Sequence, residues 1–172
     1  MGTVTQYFTP EEASFLVAAG FPQFVNTQGS AFGVTGLSFD GAGSLPQEAA
    51  WKFTPALYGG GDVTVDIIWY GLGAASGAVT LGSGLAAITP NTDTQDPTTK
   101  TFAASPPVTT SHLGTAAKRL HKTTITLTGS QLDNMATGDE VWVRAYRMPG
   151  AGTDTLTAAI VVTSVRVSYE SA

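Results

Sequence analysis

The chain has 172 residues, a mass of 17.7 kDa, a net charge of −5 and no cysteine, and only 12% of its residues are charged. The lack of cysteine excludes disulfide bonds and thiolate-bound zinc, so an apolar core must stabilise what we expect to be one domain. The acidic balance argues against nucleic acid and anionic membranes as partners, and we expect neither a membrane span nor a secretory signal.

The first segment with a structural signal is predicted to be a short helix. Thr9 suits the N-cap, Pro10 suits the first helical position, and Glu12 completes a Thr-x-x-Glu capping box. Gly20 then supplies a stop, which predicts a helix over Pro10–Ala19. A helix of this length needs tertiary packing to be stable.

One face of this helix would carry Phe15, Leu16 and Ala19 at helical spacing. We expect that face to dock either on the β core or on another subunit. The following residues, Phe21–Ser30, are expected to form a connecting arm. The predicted organisation is therefore an N-terminal arm with a short helix over residues 1–30 and a β domain over residues 31–172.

Segments with an apolar residue at every second position then follow along the chain. In Val63–Tyr70, alternate side chains fall on one face, because successive residues of a strand point in opposite directions. Several such half-buried strands must share one core, which predicts an antiparallel β protein. The predicted strands are Gly33–Phe39, Ala49–Thr54, Val63–Tyr70, Val79–Ile88, a weaker one near Lys100–Ala104, Leu120–Thr128, Glu140–Met148 and Thr155–Glu170.

About eight strands separated by turns favour a jelly roll over an immunoglobulin-like topology. The predicted fold class is all-β: an antiparallel β-sandwich, jelly-roll-like, with a short N-terminal helix and arm. A polar segment between Thr89 and Gly114 is longer than a typical connection. We expect it to be either an exposed functional loop or a segment that a neighbour orders.

Large side chains also occur on the face opposite the predicted core. Ile68 and Tyr70 lie there on one strand, and Trp142 and Tyr146 lie there on another. Contiguous apolar surface of this kind indicates a subunit interface or a ligand platform, unless the N-terminal helix or a long loop covers it. The candidate oligomer or ligand interface consists of Phe15, Leu16, Ile68, Tyr70, Trp142 and Tyr146.

No catalytic, cofactor-binding or metal-binding motif is predicted. His112 and His121 lack the spacing of a metal site, so exposed or satisfied strand histidines are the simpler interpretation. Asn91–Asp96 resembles the start of a calcium loop but lacks its central glycine and closing glutamate. A hydrolase could still bring together two carboxylates that are distant in sequence, drawn from Asp62, Asp66, Glu140 and Asp154.

The region from about Leu37 to Glu170 resembles the small jelly-roll domains of virion structural proteins in tailed bacteriophages and marine viruses. An ordered series of short motifs carries this resemblance. The motifs are Tyr58-Gly59-Gly60-Gly61, Ala74-Ala75-Ser76-Gly77, Lys122-Thr123-Thr124-Ile125-Thr126-Leu127, Leu132-Asp133, Gly138-Asp139-Glu140-Val141-Trp142-Val143-Arg144, Arg147 and Asp154-Thr155-Leu156.

The resemblance implies a non-enzymatic virion protein, either a capsid decoration (cement) protein or the head of a fibre. Decoration is favoured, because the chain lacks the coiled-coil or collagen-like shaft of a complete fibre. A decoration protein would be made in the host cytoplasm, bind the major capsid protein on the capsid surface as a homotrimer, and stabilise the assembled head. No cofactor is expected.

Two other classes of function remain open. A carbohydrate-binding module or a receptor-binding tail fibre tip would present an exposed aromatic platform, for which Trp51, Tyr70, Trp142 and Tyr146 are the candidates. A hydrolase would need two carboxylates, or a carboxylate and His121, in one cleft.

Overall fold

The structure is a computed structural model that describes residues 2–15, 20–43, 45–73, 76–114 and 118–172. Its strands form two antiparallel sheets, so the predicted all-β sandwich is confirmed. Within the described residues the strands are β1 (Thr3–Phe8), β2 (Ser14–Phe15), β3 (Gln23–Gln28), β4 (Gly33–Phe39), β5 (Gln47–Phe53), β6 (Tyr58–Gly71), β7 (Gly77–Ile88), β8 (Val108–His112), β9 (His121–Leu127), β10 (Glu140–Arg147) and β11 (Ile160–Ser171).

The two sheets are named here after their central strands. The β6 sheet has the order β3-β4-β11-β6-β9, and β1 also pairs with β11. The β10 sheet has the order β2-β5-β10-β7-β8. One edge of β11 pairs with β6, and the other pairs first with β4 and then with β1. The N-terminal segment thus places β1 in one sheet and β2 in the other.

The core lies between the sheets, as the alternating pattern predicts. Val63, Val65, Ile67 and Trp69 on β6 are fully buried, and alternate residues of β10 beginning with Val141 face them from the other sheet. Each of these strands follows the period-two rule, because a pleated strand directs successive side chains to opposite sides. The sequence therefore identified the inward-facing side of each central strand correctly.

The predicted N-terminal helix is not observed. Its capping box forms, since the Thr9 amide donates to the Glu12 carboxylate at 2.8 Å. However, the box closes only a 3₁₀ turn over Pro10–Glu12, after which the chain extends into β2 and the Ser14 hydroxyl donates to the Ala50 carbonyl at 3.0 Å. Pairing with β5 outcompetes the modest helical preference of this segment. None of the described helical segments has the length and apolar character of a membrane span.

Residues 1–30, assigned to the arm, contain β1 and β2, whose pairing partners lie far along the chain, and β3, which forms a hairpin with β4. The weak strand predicted near Lys100–Ala104 is not formed, and β8 lies further along the chain. Leu16 and the rest of the predicted helix after Phe15, together with Ala74 and Ala75 of one motif, lie outside the described residues.

Candidate functional site

The sandwich separates the predicted interface residues into two groups. Ile68 and Tyr70 lie on the outer side of the β6 sheet, with 8% and 3% of their surface exposed. Trp142 and Tyr146 lie on the outer side of the β10 sheet, alternating with core residues of β10. Since the two sheets face opposite directions, these pairs cannot form one continuous surface.

The outer side of the β6 sheet is covered by the chain itself around Tyr70. The Tyr70 hydroxyl donates to the Thr27 hydroxyl at 2.8 Å, which fixes the ring beneath the β3–β4 hairpin. A hollow of about 410 Å³ lies beside it, and its rim includes the exposed side chains of Phe32 and Leu120. Trp51, the other candidate platform, is 1% exposed and belongs to the core.

Trp142 lies on the outer side of the β10 sheet, where the small side chains of Ala50 and Ala86 are its neighbours. Its cross-strand neighbours are Lys52 on β5 and Ala86 on β7. Ala50 lies diagonally opposite and also lines the space above the sheet. Because alanines project little from a pleated sheet, the indole of Trp142 stands beside a shallow concavity and remains partly exposed.

Residues 97–105, which we name the strap, form one wall of this concavity. The strap runs along the edge of β7 where β8 no longer pairs, and the Ala103 amide donates to the Leu85 carbonyl at 2.8 Å. The Ser105 hydroxyl likewise donates to the Ser83 carbonyl. Gly84 permits this close approach, because a Cβ built there would lie 2.8 Å from the Ala103 carbonyl oxygen.

The resulting concavity, which we name the Trp142 groove, has a volume of about 150 Å³. Phe102 and Trp142 line it together with the stem of Lys100. Phe15 borders the groove from the edge strand β2, but it pairs with the core residue Ala49, which places its side chain on the other side of the sheet from Trp142. It adjoins a polar recess of about 400 Å³ that shares Lys100 and Phe102 and adds the Asp96 and Asp133 carboxylates. An aromatic-lined groove thus continues into a polar one, the composition typical of small-molecule and oligosaccharide sites.

Arg144 forms a cationic side wall between two aromatic rings. Its guanidinium carbon lies 5.0 Å from the centre of the Phe102 ring and 4.7 Å from that of Tyr146. It also donates to the Glu48 carboxylate at 3.1 Å. Burial raises the pKa of the Tyr146 hydroxyl, which therefore stays neutral at physiological pH. This stack holds Phe102 and the strap against the sheet.

Phe102, Lys100 and Asp133 are the groove residues that sequence reasoning missed. Asp133 lies in a left-handed conformation after a 3₁₀ turn, and its carboxylate accepts the Ala87 amide at 2.7 Å and the Lys100 ammonium at 2.8 Å. The one available signal was Phe102, the single Phe, Tyr or Trp between Thr89 and Gly114. An aromatic residue in an otherwise polar loop indicates packing or ligand contact.

The two histidines form a buried stack at the edge of the core. The rings of Trp69 and His121 lie 4.3 Å apart, and those of His121 and His112 lie 4.9 Å apart. His121 Nδ1 donates to the Arg119 carbonyl at 2.9 Å, and Nε2 accepts the Leu113 amide at 3.1 Å. Both nitrogens are thus occupied in the neutral form, and burial lowers the pKa of His121.

The carboxylates considered for hydrolysis bind separate partners. Asp154 pairs with Arg147, and Glu140 pairs with Lys52 at 2.7 Å. The Asp66 carboxylate accepts a hydrogen bond from the Thr124 hydroxyl on the outer side of the β6 sheet. Among the described residues, no group of three His, Cys, Asp or Glu side chains could hold a metal ion.

Comparison with known proteins identifies the fold. No protein-family model matches the sequence, and a search of curated proteins found no match. A family 35 carbohydrate-binding module from Clostridium thermocellum matches 95% of this chain over 97% of its own length, with 12% identity and a TM-score of 0.53. A second family 35 module, from an environmental isolate, matches 94% of the chain over 91% of its own, with 9% identity and a TM-score of 0.53.

A further match is to one part of a larger enzyme. Isomalto-dextranase from Arthrobacter globiformis T6, solved with panose, aligns with 95% of this chain over 23% of its own length, at 13% identity and a TM-score of 0.51. These similarities establish the jelly-roll sandwich predicted from the sequence. The prediction of a capsid decoration protein is wrong: the two family 35 modules, which share the fold over nearly the whole chain, are carbohydrate-binding modules.

Proposed function

We propose that this chain is a non-catalytic carbohydrate-binding module that holds its glycan in the Trp142 groove. The observation that carries the proposal is the grouping of Phe102 and Trp142 in one open groove that continues into a polar recess. The similarity of the whole fold to family 35 carbohydrate-binding modules supports it.

The chemistry of a sugar ring fits this arrangement. A pyranose presents apolar C–H groups on its face and hydroxyl groups around its edge. The flat indole of Trp142 offers a large apolar surface for the face, at little cost in side-chain entropy. The carboxylate of Asp96 and the hydroxyl of Thr99 in the adjoining recess can exchange hydrogen bonds with the edge.

The open form of the groove suits binding better than turnover. An enzyme needs an acid and a base, or a nucleophile, converging on one bond. Around the groove, the Lys100 and Asp133 side chains are instead engaged with each other. Aromatic contact and hydrogen bonding, without a catalytic pair, are the properties of a recognition surface.

The first prediction is that Trp142→Ala weakens glycan binding by at least about tenfold, because a buried aromatic anchor dominates most binding sites. Affinity electrophoresis against soluble xylan, galactomannan and dextran, followed by calorimetry with the best of them, measures the effect. Phe32→Ala is the matched control, since Phe32 is 72% exposed and lies in the turn between β3 and β4 of the other sheet. Loss of binding in the Phe32 variant with no change in the Trp142 variant would contradict the assigned site.

A further inference from the structure

The cations around the Trp142 groove share one property: carboxylates of the same chain already neutralise them. Lys100 shows it most clearly. Its ammonium lies 2.8 Å from the Asp133 carboxylate, and the two side chains are 11% and 21% exposed. The Ala87 amide fixes the same carboxylate at 2.7 Å, so Asp133 cannot move away from Lys100 without leaving a buried donor unpaired.

Arg144 is neutralised in the same way. Its guanidinium contacts Glu48 at 3.1 Å, with the two side chains 20% and 14% exposed. Phe102 and Tyr146 cover it on two sides, at 5.0 Å and 4.7 Å from the ring centres. An incoming anion would have to displace both the carboxylate and an aromatic ring to reach this charge.

A carboxylate of the same chain also neutralises the cation at the rim of the groove. Lys52, the cross-strand neighbour of Trp142, pairs with Glu140 at 2.7 Å.

Asp96, in the adjoining recess, has no cationic partner among the described residues. The hydroxyl and amide of Thr98 both donate to Asp96 and lower the pKa of its carboxyl, so this group is charged at neutral pH. The site therefore carries slightly more negative than positive charge.

From this charge arrangement we infer that the groove selects uncharged glycans and discriminates against chains that bear uronate or sulfate groups; the inference rests on the proposed function. A neutral hydroxyl can donate to the outer oxygens of Asp96 or Asp133 without disturbing any ion pair. A carboxylate or sulfate would meet the Asp96 charge and find no free cation, in a protein whose net charge of −5 also repels it.

The test compares neutral and acidic polymers at two ionic strengths. The wild-type chain should bind at least one of arabinoxylan, galactomannan and dextran, all uncharged, with an affinity that changes by less than about twofold between about 50 and 500 mM sodium chloride. It should not bind polygalacturonate or chondroitin sulfate measurably at either concentration.

Two conservative substitutions remove the neutralising charge while keeping an acceptor oxygen. Asp133→Asn frees Lys100, and Glu48→Gln frees Arg144, and each variant should bind polygalacturonate at least about threefold more tightly than wild type at low salt. Glu170→Gln makes the same change of charge at an exposed position on β11 and should have no such effect. Circular dichroism of each variant checks folding.

The outcomes separate the two proposals. Preferred binding of the acidic polymers by the wild-type chain, weakening as salt rises, would overturn the selectivity inference and leave glycan binding intact. An equal response of the three charge variants would show that the ion pairs do not set selectivity. Binding of no polymer by the folded chain would contradict the proposed function, and the inference would fail with it.

Discussion

At the scale of single residues, the most deeply buried ion pair among the described residues joins Arg147 and Asp154. Both side chains are essentially fully buried, with 0% and 1% exposed. The pair is bidentate, at 3.0 Å from Nε and 2.9 Å from Nη2, and Nη1 donates to the Phe39 and Ala158 carbonyls. Nη2 also donates to the Leu156 carbonyl. All five N–H donors of the guanidinium are thus used, which is the condition under which a buried charge is tolerated.

We predict that Arg147→Ala lowers the free energy of unfolding by about 3–5 kcal/mol, because it leaves the Asp154 carboxylate buried without its cation. Urea denaturation followed by tryptophan fluorescence measures the change. Lys52→Ala removes one partner of an exposed ion pair, 56% and 37% exposed, and should cost less than about 1 kcal/mol. Similar losses in the two variants would contradict the role assigned to burial.

A second prediction at this scale concerns His121 and pH. Burial holds its pKa below the usual value of 6.5, so the unfolded chain binds the proton more readily than the folded chain. Protonation also replaces the acceptor at Nε2 with a donor that faces the Leu113 amide and the neighbouring ring of His112. The stability of the fold should therefore be unaffected at higher pH and should fall progressively as pH drops below about 6.5.

The measurement is the free energy of unfolding at a series of pH values from about 8 down to 5. His121→Phe keeps an aromatic ring against Trp69 but cannot take up a proton, so its stability should depend less on pH over this range. An identical pH profile in the two proteins would assign the effect to other groups.

At the scale of elements, the outer side of the β10 sheet depends on β7. Gly82, Gly84 and Ala86 alternate along its outer side, while Leu81 and Leu85 face the core. The two glycines allow bulky neighbours to lie flat on the sheet: a Cβ at Gly82 would lie 2.0 Å from the Tyr146 ring, and one at Gly84 would meet the strap. The small face of β7 is therefore what lets Phe102 and Tyr146 enclose Arg144.

We expect Gly84→Ala to lower the free energy of unfolding by about 1–3 kcal/mol and to weaken glycan binding, because the strap must move away from the sheet. Gly152→Ala is the matched control, since a Cβ there meets no atom within 4 Å and should change stability by no more than about 0.5 kcal/mol. Denaturation and calorimetry of both variants provide the measurements. Unchanged glycan binding by a destabilised Gly84 variant would exclude the strap from the site.

At the scale of the whole molecule, the N-terminal segment joins the two sheets. β1 extends the β6 sheet along β11, and β2 extends the β10 sheet along β5. Between them, Phe8 is 7% exposed and packs against Phe53 with ring centres 6.0 Å apart, while the Trp51 indole donates to the Thr9 carbonyl at 2.8 Å. Both sheets should therefore unfold together in one transition.

The corresponding prediction is that Phe8→Ala costs about 3–5 kcal/mol, the range for truncating a core aromatic residue. Fluorescence and far-ultraviolet circular dichroism should give coincident transitions in the wild type and again in the variant, with the midpoint of the variant at a lower denaturant concentration. Phe24→Ala, at a side chain that is 52% exposed, should change stability by less than about 0.5 kcal/mol. A Phe8 variant as stable as wild type would mean that the first strand is dispensable.

The sequence alone predicted the class of fold because strand periodicity is a local property. Alternation in β6 and β10 follows from the pleat of each strand, and Gly33–Phe39 was located to the residue. The N-terminal helix was predicted from local signals as well, but its outcome depended on β5, which lies more than thirty residues away. Long-range pairing overrode a correct capping signal, which no local pattern could reveal.

The same distinction between local and long-range information applies to the candidate site. The sequence determined that Trp142 and Tyr146 point away from the core, because orientation along a strand alternates strictly. Only the tertiary structure decided that these residues lie on the opposite side of the sandwich from Tyr70, and that Phe102, Lys100 and Asp133 assemble beside Trp142. The direction of a side chain follows from alternation within its own strand. Its neighbours, in contrast, are set by sheet order and by the path of distant loops.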